Sequence, residues 1–147
     1  MSAPALFVAE PRALWAQRAP VVVDCSVFAA LLFDEPAADA AARRLEGRAL
    51  HAPSLVRYEL TSVARHKQRR GLPLADALAA LTDFDLQRVQ LHSPTPTAVL
   101  TLAAQHSLSA YDAAYLWLAA ELNAPLATFD RQLADAAQKH LGRPPHD

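Results

Sequence analysis

The chain has 147 residues, a net charge of -1, and 52% hydrophobic against 20% charged side chains. That is enough apolar material for one core, too little length for two, and the wrong proportions for a disordered chain. Three glycines leave no Gly-rich phosphate cradle, no apolar run reaches the roughly 18 residues of a membrane span, and a nucleic-acid partner would have to use a local basic patch.

Residues 1–20, punctuated by Pro4, Pro11 and Pro20, read as an appended arm or a short helix around Leu14-Trp15. Glu10, Arg12 and Arg18 fall where a secretion signal would be apolar, and a single cysteine cannot close an internal disulfide. The expected compartment is therefore the cytoplasm. Val21-Val22-Val23, β-branched without polar alternation, predicts a strand buried on both faces, as in a parallel sheet. A short helix follows over 26–33, and a second over 36–46 with Pro36 at its first position and Gly47 just past its end. Ala49-Leu50-His51 is a weaker strand. Pro53 is expected to open a longer helix that runs to Arg70 and stops at Gly71. Then come a helix over 74–84, a strand over 88–91, a loop over 92–96 and a helix over 97–106. The nearly all-apolar stretch 109–122 predicts a buried helix. A fourth strand over 125–128 and a helix over 131–140 complete the pattern, and Gly142-Arg143-Pro144-Pro145 ends it. Strands alternating with helices predict an α/β domain with a parallel sheet covered on both faces, whose ligands bind at the carboxyl ends of the strands.

Four acids fall at positions a core does not explain. Asp24 ends the first strand and Asp130 follows the fourth; each has the plain reading of a helix cap, but neighbouring strands would bring the two together. Glu59 lies within the apolar stripe Val56, Leu60 and Val63. An inward carboxylate is costly unless paired, and Arg57 or Arg65 is the ordinary partner to expect. Asp112 stands third after Ser109, a capping-box spacing, yet it is the only charge in its helix before Glu121. Converging carboxylates repel and rise in pKa. A hard divalent cation, Mg²⁺ or Mn²⁺, relieves that repulsion and can supply a nucleophilic water. The six histidines show no zinc spacing, and Cys25 reads as a small packing residue. Ser26 and Thr128, each two residues from a strand-end Asp, are placed to orient a carboxylate or a water, or simply to cap.

The segments Val22-Val23-Asp24-Cys25-Ser26, Tyr58-Glu59-Leu60, Leu108-Ser109-Ala110-Tyr111-Asp112-Ala113-Ala114-Tyr115 and Thr128-Phe129-Asp130-Arg131-Gln132-Leu133 resemble the acidic motifs of PIN-domain nucleases. The resemblance is strongest to the VapC-type toxins of toxin–antitoxin pairs. It covers about residues 21–140, and the Ser-Ala-Tyr-Asp-Ala-Ala-Tyr motif is its most specific part. It implies one PIN domain over 21–147 behind an extension over 1–20, with four or five short strands. It also implies a metal-dependent endoribonuclease acting on structured RNA, usually a homodimer, silenced by a cognate VapB-like antitoxin. By motif match, Asp24, Glu59, Asp112 and Asp130 become the metal-site acids, with Ser26 and Thr128 in support. In two respects the chain departs from the pattern: residues 141–145 make a poor fifth strand, and the first twenty residues exceed the usual start.

A polyanion needs basic groups near an acidic pocket. Arg65, Lys67, Arg69 and Arg70 form the densest basic run and read as RNA contacts, as contacts to an acidic antitoxin segment, or as cations drawn to a helix C-terminus by its dipole. Two other classes compete with the nuclease. A phosphoacceptor signalling domain also places acids at strand ends, but it needs a paired acidic cluster at the first strand and a Lys after the last; Cys25-Ser26 and Asp130-Arg131 stand there instead. A catalytically silent binding module on the same fold is disfavoured by the retention of all four acids.

Overall fold

The computed structural model describes Phe7, Ala9 and residues 18–142. The expected arm or helix around Leu14-Trp15 lies outside the described residues, as does most of the candidate fifth strand.

Strand β1 (Pro20–Val23) leads into helices α1 (Cys25–Leu32) and α2 (Ala38–Leu45) and strand β2 (Ala49–Pro53). Helices α3 (Val56–Arg69) and α4 (Leu74–Leu86) precede β3 (Gln90–His92), and α5 (Pro96–His106) and α6 (Ala110–Glu121) precede β4 (Leu126–Ala127) and α7 (Arg131–Leu141). The four strands pair in the order β3-β2-β1-β4, all parallel. From β1 to β3 the chain steps one way across the sheet, then returns to the other side of β1 for β4. With right-handed crossovers that reversal places α1–α4 on one face and α5–α6 on the other. It also makes the β1/β4 boundary the switch point, where a parallel sheet opens a crevice at its carboxyl edge. Asp24 lies on that edge.

The core explains the buried pattern. Val22 and Val23 are fully enclosed, as are Leu60, Tyr115, Leu116 and Leu133. Phe28 of α1 meets Phe84 of α4 edge-to-face at 5.1 Å, a favoured aromatic geometry. Helix α6 packs against both β1 and β2, which is why its sequence is apolar nearly all round.

Several boundaries differ from the sequence reading, each for a local reason. Pro36 sits in a turn and α2 begins two residues later, where the Ala38 amide bonds the Glu35 carbonyl. Pro53 closes β2 rather than opening a helix; the ladder continues through the Ser54 amide to the His92 carbonyl at 2.7 Å. Strand β3 cannot start at Arg88, whose φ is +53°, a left-handed conformation outside the strand region. His92, expected in a loop, pairs with Pro53 and ends β3. Gly47 and Gly71 sit just past α2 and α3 with φ of +73° and +112°, the terminal role their positions predict. Leu141 ends α7 rather than starting a strand.

Two histidine pairs, unmarked by any sequence spacing, arise from the topology. His51 and His92 meet across β2 and β3 at 2.9 Å between ring nitrogens, and His106 and His140 meet across α5 and α7 at 3.2 Å. A nitrogen-to-nitrogen hydrogen bond needs one neutral ring as acceptor. Burial, and then the neighbouring His92, push the His51 pKa down, which makes His51 the natural neutral member.

Candidate active site

Asp24 is the structural centre of the site. Its carboxylate is 5% exposed, and although Asp24 is the residue before α1, its side chain caps nothing. Instead, Oδ2 accepts the Ser26 hydroxyl at 2.9 Å and the Thr128 hydroxyl at 2.7 Å. The capping explanation therefore fails for Asp24, and the orienting role expected of Ser26 and Thr128 is what the geometry displays. Both hydroxyls pass the constraint on: the Phe129 amide donates to Ser26 Oγ at 3.0 Å, and the Asp130 amide donates to Thr128 Oγ1 at 2.9 Å. One network thus fixes the end of β1 against the turn after β4. Among the described residues no hydrogen bond reaches Asp24 Oδ1.

Glu59 stands in the first turn of α3, half-buried. Its partner is neither Arg57 nor Arg65. The Tyr115 hydroxyl, from α6, donates to Glu59 Oε1 at 2.6 Å, a short bond of the charge-assisted kind. Burial raises the Glu59 pKa; the Tyr115 hydroxyl opposes that rise, and the charges of Asp24 and Asp112 add to it. Sequence reasoning passed over Tyr115, although a signal existed. A tyrosine in an otherwise apolar buried helix must find a partner for its hydroxyl, and an inward carboxylate was the unclaimed acceptor.

Asp112 makes half of the expected capping box: its amide donates to Ser109 Oγ at 3.1 Å, but its carboxylate makes no return bond to the Ser109 amide among the described residues. Burial raises its pKa, with Asp130 and then Asp24 adding to the rise and the Ser109 hydroxyl partly offsetting it. Asp130 is exposed and does cap, its Oδ1 accepting the Leu133 amide at 2.8 Å. Glu59 therefore feels Asp24 and Asp112, and Asp112 feels Asp130 and Asp24. The only ion pair among the described residues, Lys67 with Glu35 at 3.0 Å, lies outside this set. Cys25, wedged between Asp24 and the core, is buried and free. Burial, Glu59 and Asp24 push its thiol up to about 12, so it is a packing group.

Of the basic run, Lys67 is taken by Glu35 and by the face of Phe33, 5.2 Å away, and Arg65 bonds Gln68. Arg69 and Arg70 are exposed. At 1.5 Å per residue, Arg70 lies about 16 Å along the helix from Glu59, so the end of this run stands well away from that acid.

Comparison with known proteins agrees with this geometry. A family model described as PIN domain matches residues 21–139. The chain belongs to the PIN-domain family. Within it, the chain is 36% identical over 120 residues to Ribonuclease VapC9 of Mycobacterium tuberculosis, covering 80% of this chain and 91% of that protein. It is 32% identical over 121 residues to Ribonuclease VapC3 of Pyrobaculum aerophilum, covering 78% and 92%. The crystal structure of PAE2754 from Pyrobaculum aerophilum superposes with a TM-score of 0.65 at 25% identity, over 84% of this chain and 95% of the other. This PIN domain is therefore of VapC type. No helix among its described residues is long and apolar enough to cross a membrane.

Proposed function

We propose that this PIN domain is a metal-dependent endoribonuclease, the toxin of a toxin–antitoxin pair, with Asp24, Glu59, Asp112 and Asp130 as its metal-site acids. One observation carries the reading: the pKa values of Glu59 and Asp112 are raised by burial and by the charges of neighbouring site acids, Asp24 acting on both and Asp130 on Asp112, and the ion pair of Lys67 with Glu35 leaves them unbalanced. The donor set is all oxygen, which fits Mg²⁺ or Mn²⁺ and not a nitrogen- or sulfur-seeking metal. Among the described residues no three His, Cys, Asp or Glu side chains gather closely enough to enclose an ion. Mg²⁺ keeps much of its water and commonly uses one or two carboxylates together with substrate phosphate.

When bound, such an ion neutralises developing phosphoryl charge and activates water. The residues supply the geometry. Ser26 and Thr128 clamp Asp24 through Oδ2 and leave Oδ1 without a hydrogen bond among the described residues, so Asp24 would hold an ion from a fixed orientation that costs nothing at the moment of reaction. Tyr115 holds Glu59 by Oε1, leaving Oε2 for the crevice. Burial and the neighbouring acids raise the Glu59 pKa, which fits a group that exchanges a proton during the reaction. Asp130 keeps one oxygen on the α7 amide and offers the other. The proposal extends to a homodimer and to a VapB-like antitoxin that covers the pocket by placing a guanidinium among the acids. Arg65, Lys67, Arg69 and Arg70 remain the candidate contacts for RNA or for that antitoxin, and residues 1–20 an extension ahead of the domain.

The test is cleavage of RNA by purified protein in Mg²⁺, in Mn²⁺ and in EDTA, beside Asp24→Asn. Cleavage is expected with either ion and lost in EDTA, and Asp24→Asn should reduce it by orders of magnitude with an unchanged far-UV spectrum. Cleavage undiminished in EDTA would overturn the metal, and full activity in Asp24→Asn would overturn the site.

A further inference from the structure

Large apolar side chains exposed among the described residues include four aromatic rings: Phe7, Tyr58, Tyr111 and Phe129. Three of the four stand one position before a site acid, as Tyr58-Glu59, Tyr111-Asp112 and Phe129-Asp130, and they are 81%, 63% and 52% exposed. For Tyr58 and Tyr111, being next to a half-buried acid accounts for their outward place, since adjacent helix positions are turned about 100° from one another; Phe129 lies in the turn before α7. It does not call for an aromatic ring, and a solvated rim ordinarily carries polar side chains.

The rings are connected by shape. Tyr58 and Tyr111 line one open cavity of about 640 Å³ whose polar groups include Glu59 and Ser62. Phe129 lines a second, of about 710 Å³, together with Ser26, His66 and Lys67. Ser62 and Val63 belong to both walls, so the two cavities adjoin, with the site acid Glu59 on the lining of the first. Each has the size of a small-molecule pocket, roughly 300–1,000 Å³. The rings share the lining with the Glu59 carboxylate, the Ser26 and Ser62 hydroxyls, Lys67 and small apolar side chains.

We propose that Tyr58, Tyr111 and Phe129 form a stacking platform that takes unpaired bases on either side of the scissile phosphate. It deepens the ribonuclease reading and rests on it. Stacked bases present a flat face of any sequence to an aromatic ring, and a base locked in a duplex cannot reach one. The rings position the strand while the acids face its phosphate, so the three are positioning residues.

The experiment measures two things for wild type, Tyr58→Ala, Tyr111→Ala, Phe129→Ala and the three ring-keeping tryptophan variants. One is kcat and KM for a short single-stranded RNA of mixed sequence, for the same RNA carrying one abasic ribose at successive positions, and for its duplex. The other is equilibrium binding of the same RNAs, with each ring variant placed in an Asp24→Asn background that does not cleave. Loss of a ring should weaken binding and raise KM about fivefold or more with kcat nearly kept, and tryptophan should restore both. An abasic site next to the cleaved bond should cost wild type the same factor, and cost the matching alanine variant nothing further. Equal binding by wild type and alanine variants, while wild type still cleaves, would overturn the platform and leave the nuclease standing. So would alanine variants that cleave normally but lose affinity only for an antitoxin peptide, since the rings would then serve that partner. Ring-dependent RNA binding without any cleavage would keep the platform and overturn the nuclease.

Discussion

Replacing Glu59 by glutamine separates a metal-site acid from a structural one, and the structure sets the size of the effect. Glutamine keeps an acceptor for the Tyr115 hydroxyl, so the 2.6 Å bond is weakened from charged to neutral, a loss of about 1 kcal/mol. Against this, the substitution removes a half-buried charge that faces Asp24 and Asp112 and whose pKa is raised. The two contributions oppose each other, and the melting temperature without metal should move by no more than about 4 °C. A carboxylate paired with arginine would instead cost about 3–5 kcal/mol on the same change, and the melt would fall by about 6 °C or more. Adding Mn²⁺ supplies the second reading. At a hundred times its dissociation constant a ligand stabilises by about 2.7 kcal/mol, and losing one carboxylate should remove much of that gain. Calorimetric melts of wild type and Glu59→Gln, with and without Mn²⁺, decide the matter. A large fall without metal together with an undiminished Mn²⁺ response would refute the assignment of Glu59 to the site.

Tyr115→Phe leaves Glu59 Oε1 without its donor and should cost about 1–3 kcal/mol, read as a drop in the denaturation midpoint at constant slope. The metal-free protein should lose stability as pH rises from the ordinary carboxylate range through the raised values of Glu59 and Asp112. The folded state there binds more protons than the unfolded one, so stability is greatest below the unfolded pKa; urea titrations across pH check the sign, and Mn²⁺ should flatten the curve. Cys25, held up to about 12 and buried, should react with a thiol reagent only as fast as the chain unfolds, which stopped-flow labelling in native buffer and in denaturant would show.

How much of this was legible depends on whether the cause was local. The triple valine of β1, the glycines after α2 and α3 and the Ser109 cap are consequences of adjacent residues, and pattern reading located them. Glu59 was flagged because an acid in an apolar stripe conflicts with its neighbours. What covers it was invisible, because Tyr115 is 56 positions away and only the packing of α6 on the sheet brings it across. Pro53 misled for the opposite reason: proline opens helices often, and nothing local reveals that a strand ladder would be completed by the next amide. The left-handed Arg88 that delays β3 is equally a product of the turn it must make. The motif resemblance supplied the grouping of the four acids; their hydrogen bonds had to come from coordinates.

The Asp24–Thr128 bond spans 104 residues, and this separation has a consequence for synthesis. At about 5–20 residues per second, a growing chain carries Asp24 for at least about five seconds before Thr128 is made. During that interval β1 has no β4 beside it, Ser26 has no Phe129 amide to hold, and the carboxylate has one clamp instead of two. On the proposed reading, a nascent chain that has not yet reached Thr128 lacks half of the network that fixes Asp24, and its site is incomplete until β4 docks beside β1.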